Sequence, residues 1–264
     1  MVVDFVRSDD GTRIAYEVSG SGPLLIIVNG ALSTRGAGVE LSGLLEPHFR
    51  VVRYDRRGRG DSTDAGPYST QREIDDIEEL IDANGGSAFI YGHSSGGCLA
   101  LEAAALLGSP EVMRVAVYEA PWDDDPAVQA GWTACRAGLQ AALREGRRGD
   151  AVALFLEYVG IPAAQLAGMR QSPMWEGMEA LAHTLAYDAA VMGESRALPR
   201  RQLAFVNASV LAIAGDAGPA SMAATARTIS EQVTTAEFAV LAGQTHNVAS
   251  AVIAPLLLDF FNAD

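Results

Sequence analysis

Apolar and polar positions along this 264-residue chain follow two alternating patterns, short runs and helical stripes. Residues 2–6 and 12–18 are short strand-like stretches, and Asp9-Asp10-Gly11 between them supplies turn chemistry, which predicts a hairpin pair. After the breaker cluster 19–23, Leu24-Leu25-Ile26-Ile27-Val28 forms a continuous apolar run. Such a run suits a strand buried on both faces. A helix over 39–45 and a strand over 50–54 follow. Ile74, Ile77, Leu80 and Ile81 carry the spacing of an amphipathic helix across 73–83. A strand at 87–91, an alanine-rich helix at 95–107 and a strand at 113–118 complete this half. Strands alternating with helices predict a mostly parallel sheet with helices on both faces, an α/β fold.

The alternation stops at Trp122. From 122 to 205 the pattern is helical, with candidates at 126–144, 150–159, 163–170 and 174–192. Strand signals return at 209–214 and 236–241. A closing helix spans 248–261, with Pro255 as a possible kink. The expected organisation is one α/β core, 1–121 with 206–264, interrupted by a helical insertion at 122–205.

Composition narrows the chemistry. The chain is 49% hydrophobic, enough for one large core. No apolar run approaches the roughly 20 residues that span a bilayer, so no membrane partner is expected. Residues 1–10 lack a basic segment and a long apolar stretch, so they do not read as a secretory signal, and a cytoplasmic location is expected. The net charge of −14 disfavours nucleic-acid partners. All 19 basic residues are arginine. Lysine Schiff-base chemistry and pyridoxal-phosphate attachment are thereby excluded within this chain. Cys98 and Cys135 read as free buried thiols, and the Cys/His pattern gives no metal-site spacing. Neither a metal nor a cofactor is expected; the expected partner is a small-molecule substrate.

The pivotal segment is Phe89-Ile90-Tyr91-Gly92-His93-Ser94-Ser95-Gly96-Gly97. It holds G-x-S-x-G between a strand run and a helix run, the context in which a sharp turn lifts a serine hydroxyl clear of a sheet. Small residues two before and two after Ser94 relieve the crowding of that turn. The helix beginning near Ser95 offers free N–H groups to negative charge. Here the chain resembles the α/β-hydrolase superfamily. Asn29-Gly30-Ala31 is similar to its His-Gly-x segment, with Asn29 in place of the histidine. Residues 54–62 resemble its D-x-R-G-x-G-x-S turn, and Gly243-Gln244-Thr245-His246 falls where the family carries a histidine. The resemblance implies an α/β-hydrolase fold, with 122–205 as a helical cap after the sixth strand.

It also implies roles. Ser94 would be the nucleophile, His246 its base, and the backbone amides of Ala31 and Ser95 the oxyanion hole. His48 reads as a surface or packing residue, and His93 as a neighbour that points away from the reaction. Two carboxylates stand at strand ends for the third role. Glu119 is favoured, because some members, including the zearalenone-lactonase type, carry a glutamate there. Asp216 is the alternative; the usual spacing of the family's acid falls instead on Gly218. Trp122, Trp175, Met178, His183 and Tyr187 are pocket candidates, with helix packing as the bland reading of each. Ser33 and Thr34 are possible helpers at the oxyanion loop. The function these features imply is hydrolysis of a carboxylic ester or lactone of a small to medium, largely apolar substrate. The same frame also admits C–C bond hydrolysis, thioester hydrolysis, a cofactor-free peroxidase reaction, a biosynthetic cyclisation or a ligand-binding receptor.

Overall fold

A computed structural model describes residues 2–263. Met1 and Asp264, the outer ends of the expected core segments, lie outside the described residues. Eight strands form one sheet: β1 (Asp4–Arg7), β2 (Arg13–Ser19), β3 (Leu24–Val28), β4 (Arg50–Tyr54), β5 (Ala88–His93), β6 (Val112–Tyr118), β7 (Ser209–Gly215) and β8 (Ala236–Leu241). Their order is β1-β2-β4-β3-β5-β6-β7-β8. Strand β2 is antiparallel to both neighbours, and every later pairing is parallel.

The continuous apolar runs resolve into two faces with a period of two. Leu24, Ile26, Val28, Ile90, Val115, Val117, Val210 and Ala212 face one way, against helices α2 (Thr70–Asn84), α3 (Ser95–Leu107) and α10 (Ala220–Gln232). Leu25, Ile27, Val51, Phe89, Tyr91, Ala116, Leu211 and Ile213 face the other way, against α1 (Val39–Leu45) and α11 (Ser250–Phe261). Pro255 is accommodated inside α11. Both cysteines are free.

Between β6 and β7 lie α4 (Pro126–Arg144), α5 (Arg148–Tyr158), α6 (Ala163–Met169), α7 (Met174–Leu181), α8 (Leu185–Met192) and α9 (Arg200–Leu203). The stretch 174–192, expected as one helix, is broken by a tight turn at Ala182–Thr184, where Thr184 Oγ1 donates to Leu181 O (2.8 Å). Helix α10 had no sequence signal. Its buried positions, Thr225, Ala226 and Ile229, make too small an apolar stripe to stand out. Part of the insertion is packed into the main core: Trp132, Val191, Met192, Leu198 and Leu203 join the β-sheet cluster. The rest builds its own small core around Val152, Leu156, Leu166 and Trp175. Among the described residues, no helix is long and apolar enough to cross a membrane.

Candidate active site

Ser94 and Glu119 each stand one residue beyond the last paired residue of adjacent strands. The ladder carries on into both. Ser94 N donates to Tyr118 O (2.9 Å), and Glu119 N donates to Ile213 O (2.9 Å). Both then leave the sheet with left-handed backbones, Ser94 at φ 57° and Glu119 at φ 48°. Each such conformation costs about 1–3 kcal/mol, and the ladder bonds on either side hold it in place. The elbow is built on two close approaches. A Cβ at Gly92 would lie 2.6 Å from Gly97 Cα, and one at Gly96 would collide with the carbonyl oxygens of Val28 and Asn29. Ser94 is thus lifted over the carboxyl edge of the sheet, at the N-terminus of the thirteen-residue helix α3.

His246 arrives from the loop after β8. This loop lies directly over the end of β7, where a Cβ on Gly215 would collide with Gln244 O. Two side chains hold it there. Tyr118 Oη donates to Thr245 O (2.6 Å), and His93 Nε2 donates to His246 O (2.9 Å). Burial, aided by the neighbouring His246, pushes the His93 pKa down to about 4, so the ring stays neutral and keeps a single well-placed N–H.

The imidazole of His246 meets Glu119, with Nδ1 and Oε2 2.7 Å apart. The other carboxylate oxygen accepts from Gly215 N (3.0 Å). The Glu119 side chain is fully buried, whereas that of His246 is 39% exposed. A buried carboxylate needs such partners, and here both oxygens have one. The Nδ1–H bond fixes the tautomer and leaves Nε2 free to accept a proton. Asp216, the alternative carboxylate, is exposed, and its Oδ1 accepts from Gly243 N (2.6 Å). That is turn chemistry. Gly218 comes close to the pair instead: a Cβ there would lie 3.7 Å from Glu119 Oε1.

Gly30 packs against the serine, since a Cβ on it would lie 3.0 Å from Ser94 Cβ and 3.5 Å from its hydroxyl. Asn29 Nδ2 donates to Thr34 O (3.2 Å), bracing the loop on which Ala31 sits. The Ser33 hydroxyl is engaged with Ala31 O (3.2 Å). The five pocket candidates lie in three settings. Trp122 belongs to the main core, and its carbonyl accepts from Thr225 Oγ1. Trp175 and Met178 pack in the insertion's own core. His183 and Tyr187 sit against Gly58, and Tyr187 Oη donates to Asp64 (2.5 Å) while its ring stacks on Tyr68 (4.1 Å). Ala31 and Leu32 pack against the insertion cluster of Leu139, Ala142, Ala151 and Leu185, and Leu32 also against the cluster that holds Trp175. The tryptophans are drawn into cores because they carry the largest apolar area. His48 is exposed and precedes β4, at the opposite end of the sheet.

One cluster had no place in the sequence reading. Arg56, Arg59, Glu73 and Asp188 are all buried and mutually paired. Asp188 also accepts from Ser95 Oγ (2.8 Å), and Arg59 Nη1 donates to Gly30 O (2.7 Å). The available signal was a lone aspartate in the apolar stretch Leu185–Met192, a residue that demands partners when buried.

The chain is similar to several known proteins. The model of the alpha/beta hydrolase family matches residues 25–254. An alpha/beta hydrolase of solved structure from Sphaerobacter thermophilus is 47% identical, with a TM-score of 0.86, over 98% of this chain and 100% of that one. The 2-(acetamidomethylene)succinate hydrolase of Mesorhizobium japonicum is 30% identical over 199 residues, 73% of this chain and 69% of that protein. A 2-heptyl-3-hydroxy-4-quinolone dioxygenase of Rhodococcus erythropolis is 31% identical over 153 residues, 52% of this chain. The match spans little more than half of that dioxygenase, 57% of its length.

Proposed function

This chain belongs to the alpha/beta hydrolase family and is an enzyme of that class, and from that premise we propose that it cleaves a carboxylic ester or lactone through an acyl-enzyme on Ser94. The observation that carries the proposal is the 2.7 Å bond between Glu119 and His246, beside a serine raised on a strained elbow.

The steps follow from which atoms are already engaged. His246 Nδ1–H is committed to Glu119, so Nε2 takes the proton as Ser94 Oγ attacks the carbonyl carbon. Charge then develops on the carbonyl oxygen, where the amides of Ala31 and Ser95 receive it. The imidazolium returns its proton to the leaving alkoxide, which departs and leaves the acyl group on Ser94. Water enters from the exposed side of His246, gives up a proton to Nε2 and attacks the ester. Collapse of that second intermediate releases the acid and restores the serine. Glu119 stabilises the imidazolium throughout.

Two features favour an uncharged, largely aliphatic substrate held beneath a cap formed by 122–205. The insertion cluster packed on Ala31 and Leu32 is apolar, built on Leu139, Ala142, Ala151 and Leu185. Arg56 and Arg59, the buried cations beside the Asn29–Gly30 loop, are already paired with carboxylates. The likeness to a quinolone dioxygenase supports a second reading, in which the same frame binds an aromatic ring and runs a non-hydrolytic reaction.

A panel of p-nitrophenyl esters, aliphatic lactones, acyl thioesters and hydroxyquinolones separates these readings. The first predicts turnover of esters or lactones that falls about 10⁴-fold or more in Ser94→Ala. Consumption of hydroxyquinolone with oxygen uptake, and no ester or lactone turnover, would replace it with the second.

A further inference from the structure

The trans peptide unit joining Gly30 to Ala31 has two ends that point in opposite directions. One end is Gly30 C=O; the other is Ala31 N–H, a proposed oxyanion donor. The carbonyl is gripped by a buried guanidinium, with Arg59 Nη1 2.7 Å from Gly30 O. Holding the oxygen fixes the direction of the N–H. A cation on the oxygen also polarises the peptide and strengthens its donor end.

Arg59 is itself held by the insertion. Its Nη2 lies 2.9 Å from each carboxylate oxygen of Asp188 on α8. The same carboxylate accepts from Ser95 Oγ at 2.8 Å, and Ser95 carries the other proposed oxyanion amide. Arg56 Nη1 closes the set, bonding Asp188 at 2.7 Å and Asn29 O at 3.3 Å. Burial alone would raise the Asp188 carboxyl; Arg59 and Arg56 outweigh it and keep the group ionised. Leu32 adds an apolar contact from the same loop to the same insertion, packing on the clusters of Val152 and Leu139.

We infer that Asp188 is a positioning residue for the oxyanion hole, orienting both of its halves at once through Arg59 and the Ser95 hydroxyl. The insertion thus has a second task besides covering the substrate. It completes the transition-state site, so α8 is a fixed part of the machinery and not a lid that swings away. This inference rests on the proposed roles of Ser94, Ala31 and Ser95.

The test compares Asp188→Asn, Arg59→Lys and Asp76→Asn in the full chain. Arg59→Lys keeps the buried charge but offers a compact ammonium in place of a fork that reaches Gly30 and Asp188 together. Asp76 belongs to a different buried pair, bonded to Arg57 (2.8 and 2.7 Å), whose other bonds go to Asp10 and Arg72 O. It therefore reports what a purely structural loss does. Each variant is assayed for thermal midpoint, for ester kcat and KM, and for affinity toward a trifluoromethyl ketone. The ketone adds to the serine and leaves its oxyanion in the hole; the matching alcohol, which cannot add, reports ground-state binding.

The expected result is a loss of about tenfold to a hundredfold in both kcat and ketone affinity for Asp188→Asn and Arg59→Lys. Alcohol affinity and KM stay within about threefold, the signature of an interaction made only in the transition state. Asp76→Asn lowers the midpoint and leaves the ratio of ketone to alcohol affinity unchanged. An unchanged ratio in Arg59→Lys overturns the inference, as does an equal loss for ketone and alcohol. If the wild type forms no ketone adduct at Ser94, the underlying assignment of the serine fails instead, and the two failures are told apart.

Discussion

Glu119→Gln keeps the shape of the side chain and changes only its donors and charge, so its effect can be worked out atom by atom. One glutamate oxygen accepts from Gly215 N at 3.0 Å, and the other faces His246 Nδ1 at 2.7 Å. Glutamine has one acceptor oxygen, and the Gly215 N–H claims it. The alternative amide orientation would set two N–H groups against each other at a buried site, which costs about 1–3 kcal/mol. The amide NH₂ therefore faces His246, whose Nδ1 can meet it only as an acceptor. The ring proton is driven onto Nε2, the nitrogen that must receive the proton of Ser94. Turning the triad carboxylate into an amide in this way costs about 10⁴-fold in kcat, or about 5.5 kcal/mol of transition-state stabilisation. The assay is steady-state and burst kinetics on p-nitrophenyl butyrate, with a thermal melt to show that the variant is folded. Asp216→Asn serves as the comparison. Its carboxylate caps the exposed Gly243 amide, so a change of no more than about threefold is expected. A folded Glu119→Gln enzyme within tenfold of wild type would refute the reasoning. So would a collapse of activity in Asp216→Asn alone.

Gly218 stands beside the carboxylate with room for a side chain: a Cβ on it would lie 3.7 Å from Glu119 Oε1 and 3.9 Å from His246 N. Adding Gly218→Asp to Glu119→Ala is expected to restore at least about tenfold of the lost kcat/KM, since a carboxylate there re-forms the imidazolium partner; no recovery would show that the position does not point at the ring. The depressed His93 makes an acid limb in stability. The unfolded chain takes up its proton near pH 6.5 and the folded chain only near pH 4, so stability is complete above pH 6.5 and falls as pH drops toward 4. His93→Asn is expected to flatten the fall of the melting midpoint across that window, and an unchanged slope would contradict it. In Gly96→Ala the new methyl would run into the backbone carbonyls of Val28 and Asn29. A loss of at least about 2 kcal/mol in urea denaturation is expected, and wild-type stability would disprove the elbow packing.

The features legible in the sequence are those whose causes are local. Leu24–Val28 and Ser209–Gly215 reveal themselves because two-sided burial demands apolar residues at every position. The Gly92–Gly96 motif is legible because the crowding that selects its glycines arises within the turn and the strand beside it. Glu119 was favoured from its place at a strand end and from family resemblance, and the structure sets its carboxylate against His246. What was not legible depends on distant partners. Asp188 meets Arg56 and Arg59 across more than a hundred residues of chain, so nothing near it in sequence announces its role. The places taken by the aromatic residues of the insertion were likewise not legible, because burial of area against distant partners decides where a tryptophan goes. Trp122 lies in the main core and Trp175 in the insertion's own core, against which Leu32 of the oxyanion loop packs.

The central claim is that the hydroxyl of Ser94 becomes covalently acylated during turnover. Mixing the enzyme with excess p-nitrophenyl acetate, quenching in acid during the burst and mapping the peptides by mass spectrometry tests it directly. The account predicts one acetyl group per chain, carried by the peptide holding Ser94 and absent from Ser94→Ala. Release of nitrophenol with no covalent acetyl group, or with the acetyl group on His246 or another residue, would contradict it.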